Sequence, residues 1–158
     1  MDSDDILRQQ LLQLLRGGNA HLTFEQAVAD FPPEDINKKP PNVSYSAWQL
    51  LEHIRITQND ILQFILNPNH NSPKWPEGYW PEENATGDKH KWDITIKDIH
   101  RDMDMFQELV ANPDTDLTAP IPHARDYTIL REVLLVSDHN AYHIGEFAIL
   151  RQVMDNWK

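Results

Sequence analysis

Cysteine is absent from this sequence. That excludes disulfides, thiolate metal sites and a cysteine nucleophile, and it fits a reducing compartment. Basic residues are scarce: 14 Lys and Arg stand against 25 Asp and Glu, a formal charge of −11. Affinity for nucleic acid comes largely from cations that neutralise phosphates. With no basic stripe in the chain, a nucleic-acid partner is not expected, and an anionic membrane surface is disfavoured for the same reason. The acidity reads as a solubility feature. No apolar run approaches the ~20 residues needed to span a bilayer. Residues 1–20 lack the basic and uninterrupted apolar regions of a signal peptide. The expectation is a cytoplasmic soluble protein. The 158 residues have the size of one domain, 1–158, large enough for an unaided hydrophobic core.

What the chain does contain is helical periodicity. Ile6, Leu7, Leu11, Leu14 and Leu15 recur at helix spacing, with Asp2 or Ser3 as the cap. Gly17-Gly18 interrupts the pattern, and it resumes from Leu22 to Phe31. Residues 3–30 therefore form a broken first helix, or a helix and a second short one. A proline-rich connection, 32–43, follows. Trp48, Leu51, Ile54, Ile61, Phe64 and Ile65 predict a second helix over 45–66, capped by Ser44 or Ser46. Trp92, Ile96, Ile99, Met103, Phe106 and Val110 predict a third over 91–111, capped by Asp88. Ile129, Val133, Val136, Phe147, Leu150 and Met154 predict the last over 129–154, capped by Thr128. The stretches 67–90 and 112–127 are read as connections without strands. The expected fold class is all-α, a four-helix bundle. The 67–90 connection is long and rich in proline, and it carries Trp75, Tyr79 and Trp80. Those aromatics argue against disorder, and they serve either as a plug for the end of the bundle or as a substrate lid.

Three histidines carry the chemistry. His139 and His143 are separated by four residues inside the last helix. Residues i and i+4 share a helix face, so the two imidazoles can reach one ion. His53, inside the second helix, is the natural third ligand. It belongs to a mixed stripe with Ser46, Leu50, Thr57 and Ile61, the composition of the wall of a wet cavity. Three neutral imidazoles that leave positions open match catalytic zinc sites, and imidazole also suits nickel, iron and copper. Spacing alone leaves open a second reading, buried core histidines satisfied by hydrogen bonds. Ligating histidines usually donate their other N–H to a carboxylate or carbonyl. Glu146 lies three residues after His143 on nearly the same face. Glu52, Asp138, Asn140 and Tyr142 are weaker candidates, with Glu52 and Asp138 expected in solvent. His100 is expected at the surface. Gly145 either admits a close neighbour or is simply tolerated.

The segments Ser46-Ala47-Trp48-Gln49-Leu50-Leu51-Glu52-His53-Ile54 and Asp138-His139-Asn140-Ala141-Tyr142-His143-Ile144-Gly145-Glu146, with Arg151 beyond, resemble the DinB / bacillithiol S-transferase-like superfamily. The resemblance covers essentially the whole chain. It implies a bundle of up-down-down-up order, a divalent metal held by His53, His139 and His143, and a homodimer. The metal implied is zinc or nickel first, with iron or manganese as further options. The function implied is transfer of a low-molecular-weight thiol to an electrophilic small molecule, with Glu146 or Tyr142 as candidates to orient ligand or proton. The same triad would also suit a metal-dependent hydrolase, or a non-catalytic metal-binding stress-response protein.

Overall fold

A computed structural model of the protein describes residues 2–157. It contains helices α1 (Ser3–Arg16), α2 (Phe24–Val28), α3 (Ala47–Leu66), α4 (Lys89–Ala111) and α5 (Ile129–Val153). Each begins at a residue whose side-chain oxygen accepts a backbone N–H three residues on: Asp2, Thr23, Ser46, Asp88 and Thr128. At Asp2, Thr23 and Ser46 the residue at N3 bonds back, completing a capping box. Such a cap satisfies an N–H that has no helical partner and contributes about 1 kcal/mol. Gly17, at φ +70°, ends α1, so the interrupted first segment is two helices. The remaining ends shift slightly: α3 starts at 47 rather than 45, and α4 at 89 rather than 91.

One expectation is corrected. The 112–127 connection holds a small antiparallel hairpin, β1 (Pro120–Ile121) with β2 (Ala124–Thr128). The pairing is too short, and too disturbed by the irregularity after Pro120, to imprint a period-two pattern on the sequence. Ile121 anchors it by burying its side chain in the core.

Packing follows the stripes. α3 lies against α4 and α5, α1 lies against the same two helices, and α2 rests on α5. One core cluster joins Trp48, Leu51 and Ile54 with Trp92 and Ile99 and with Ile144, Phe147 and Leu150. The other joins Leu11, Leu15, Ile61, Ile65, Phe106, Val110, Val133 and Val136. Phe106 and Phe147 are fully buried, and cutting either to alanine costs about 3–5 kcal/mol. Two buried guanidinium groups close helix ends. Arg8 donates to the carbonyl of Val110 in the last turn of α4 and to those of Asn112 and Thr115 beyond it. Arg151 donates to those of Ala27 and Ala29 at the end of α2. Cations suit these termini because the last carbonyls of a helix carry its negative pole. Among the described residues no helix is long and apolar enough to cross a membrane.

Candidate metal centre

Two helices of this packing meet at one point. α5 presents His139 and His143 one turn apart, and α3 brings His53 to face them. Nε2 of His53 lies 3.0 Å from Nε2 of His143 and 3.1 Å from Nε2 of His139. His53 and His143 are buried and His139 is half-buried.

The outer nitrogens decide what these short separations mean. Nδ1 of His53 is 2.7 Å from the Tyr79 carbonyl oxygen, which can only accept, so His53 carries its proton on Nδ1. Nδ1 of His143 is 2.5 Å from Oε2 of Glu146 and is protonated for the same reason. Nδ1 of His139 faces Asn140 Oδ1 at 3.5 Å, the outer limit of a hydrogen bond. The neutral rings of His53 and His143 therefore turn unprotonated Nε2 lone pairs toward each other. Two acceptors cannot bond to each other, and a cation between them would suit the pair. Imidazole nitrogens about 2.0–2.1 Å from a shared tetrahedral zinc stand about 3.3 Å apart, and closer in a six-coordinate shell. The observed spacing fits, and so does the donor set: three nitrogens inward, and acceptors on the outside where ligating histidines normally find them.

Electrostatics point the same way. Burial pushes the pKa of His139 and of His143 down to about 4, and the neighbouring imidazoles add to this. Burial also lowers His53. The three rings are neutral near pH 7, the form that coordinates a metal. Burial raises Glu146, while the Tyr45 and Tyr142 hydroxyls work against that shift. Tyr45 is pushed up to about 12, first by burial and then by the Glu146 charge.

The walls of the site come from elsewhere. Trp80 stacks flat on His53, with ring centroids 4.0 Å apart and planes 4° from parallel. Tyr45 packs on Trp80. Tyr142 sets its ring at right angles to His143, 5.0 Å away, yet is 66% exposed. Thr57, one turn after His53, has a buried hydroxyl without a partner among the described residues, a position that suits a water or ligand atom. An open cavity of about 290 Å³ lies beside the site, lined by Lys39, Ser44, Tyr45, Gln49 and Trp80. A more enclosed one of about 370 Å³, between α1, α4 and α5, has none of the three histidines in its lining.

Most residues singled out in the sequence lie where their spacing placed them. Glu146 meets His143, and Asp138 is exposed. His100 is partly exposed, 3.1 Å from Glu25. Glu52 is a correction: it is mostly covered, accepting from Arg55 and from Thr95 of α4 rather than facing solvent. A Cβ on Gly145 would meet nothing within 4 Å among the described residues, so none of them approaches this glycine closely. Sequence reasoning missed the Tyr79 carbonyl and the stacking face of Trp80. The only signal was three aromatics in one long connection, which does not say which histidine they approach.

A family model described as the DinB superfamily matches residues 18–147. The chain belongs to the DinB superfamily. The matched span contains all three histidines and Glu146 and covers most of the chain, and the superfamily is a metal-binding one. No curated protein and no solved structure gives a significant match.

Proposed function

We propose that this DinB-superfamily protein is a metal-dependent enzyme that transfers a low-molecular-weight thiol to an electrophilic small molecule, with His53, His139 and His143 holding a divalent ion. The observation that carries the metal assignment is the convergence of Nε2 atoms whose opposite nitrogens are tied to acceptors. A divalent ion in this position supplies Lewis acidity, lowering the pKa of a thiol or a water brought to it. The chain has no thiol of its own, so a thiol nucleophile has to arrive as substrate. His53, His139 and His143 leave coordination positions open for it. Glu146 fixes the tautomer of His143 and is a carboxylate beside the site that could hold the proton a thiol gives up. Trp80 covers one side of His53, and the exposed Tyr142 beside His143 offers an aromatic face to an electrophile.

The core clusters support the up-down-down-up order and a single domain over 1–158. The first halves of α3 and α4 pack with the second half of α5. Arg8, early in α1, reaches the end of α4. The exposed Leu134, Leu135, Ile149 and Val153 on α5 support a homodimer.

The test starts from protein purified without a histidine tag. Elemental analysis gives its metal content, and thiol-transfer assays follow with electrophilic substrates and several small thiols. Stoichiometric metal and turnover that disappear in a folded His143→Ala variant are expected. Metal with ester hydrolysis but no thiol transfer assigns the site to hydrolysis. Metal without turnover toward thiols or esters assigns it to a binding role. Absence of bound metal after loading sinks the proposal.

A further inference from the structure

The long connection between α3 and α4 meets the metal centre through Trp80, stacked on His53, and through Tyr79, which is held at both ends. Its carbonyl takes the Nδ1 proton of His53. Its hydroxyl donates to Oδ2 of Asp60 at 2.8 Å. His53 and Asp60 are seven residues apart on α3, about 10 Å along the helix axis, so the tyrosine lies beside the helix as a brace across two turns. The other oxygen of Asp60, Oδ1, accepts from Nε2 of His70 at 2.6 Å, and His70 belongs to the same connection. Asp60 is only 8% exposed.

We propose that Asp60 is a positioning residue for the metal centre, setting the affinity of the histidine triad by fixing Tyr79 and, through it, the tautomer of His53. The inference rests on the reading of His53 as a ligand. A carboxylate is required because two donors, the His70 N–H and the Tyr79 O–H, converge on this one side chain. An amide has one acceptor oxygen and turns an NH₂ toward the second donor. The connection has little core of its own to hold it: Trp75 is 73% exposed. Its position over the site depends on discrete anchors. On the near side of His53 the anchor is Gln49, whose amide donates to the Glu82 and Glu83 carbonyls. On the far side it is Asp60. When Tyr79 drifts, His53 loses the acceptor on Nδ1, and its proton is free to sit on Nε2, where no metal can bind. Trp80, the next residue, loses its seat on the His53 ring. The dependence runs both ways, since a metal that holds His53 in one tautomer holds the Tyr79 carbonyl as well.

The experiment compares wild type with Asp60→Asn and Tyr79→Phe. Zinc affinity is measured against a chromophoric chelator, and hydrogen exchange of residues 74–83 is followed with and without zinc. Both variants are expected to bind zinc about 10-fold more weakly or worse, the range seen for lost outer partners of ligating histidines. Helical content and apo melting temperature should stay near wild type in Tyr79→Phe, which keeps the ring and the carbonyl. Zinc should slow exchange in 74–83 in wild type and fail to do so in the variants. Should Asp60→Asn not fold, Tyr79→Phe alone decides. Wild type that binds no zinc overturns the metal reading and this inference together. Wild type that binds zinc, with variants matching it within about twofold, overturns this inference alone.

Discussion

Replacing His139 by leucine should remove metal binding while leaving the apo protein as stable as wild type, or slightly more so. Of the three rings, His139 is the least buried and has the weakest outer bond, 3.5 Å to Asn140. Its Nε2 lies 3.1 Å from that of His53, which has no proton to share in the tautomer fixed by Tyr79. Metal-free, the Nε2 lone pairs of His53 and His143 share at most the one N–H that His139 can offer, so the site keeps a polar atom in a desolvated place without the ion that repays its burial. A leucine of similar reach drops that cost and keeps the packing, so the apo change should stay within about 1 kcal/mol. The wild type differs from the variant only when metal is added. A ligand at about 100 times its Kd stabilises the native state by about 2.7 kcal/mol. In a protein of this size that raises Tm by about 5–10 °C, at about 2–4 °C per kcal/mol. The assay is thermal unfolding by circular dichroism, with chelator and with zinc, on both proteins. Zinc that leaves the wild-type Tm unmoved rules out metal binding at the triad. A variant that unfolds several degrees below apo wild type shows instead that His139 is a satisfied core residue.

Three further outcomes are expected. Glu146→Gln keeps the shape but not the charge of the partner 2.5 Å from His143, so zinc affinity should drop about 10- to 100-fold with little change in apo Tm; equal affinity would show that the carboxylate does not tune the ligand. In the apo protein, His139 and His143 titrate near 4 instead of 6.5, so between those values the unfolded chain binds more protons than the native one; stability should be full above about pH 6.5 and fall steadily toward pH 4, and the His139→Leu variant should show a shallower fall by the same melting assay. Two glycines should respond oppositely to alanine by urea denaturation: Gly145→Ala, in open space within a helix, should gain about 0.5–1 kcal/mol, whereas Gly87→Ala, whose Cβ would lie 2.4 Å from the Trp48 ring, should lose about 1–3 kcal/mol.

The helices were legible because their signals are local. A cap bonds three residues ahead, an apolar stripe repeats within two turns, and Ser46, Asp88 and Thr128 do in space what their spacing implied. The pairing of His139 with His143 is equally local, fixed by one turn of backbone. Glu146 falls under the same rule. The sequence by itself thus determined the helical scaffold, two adjacent imidazoles and the carboxylate behind one of them. Only the tertiary structure decided that His53 completes the set across 86 and 90 residues of chain, that Tyr79 and Trp80 fold back onto it, and that Glu52 turns to Thr95 of α4 instead of water. Contacts of that kind depend on where whole helices settle when their apolar faces are buried. That placement is a property of the packed core as a unit, and no short window of residues contains it.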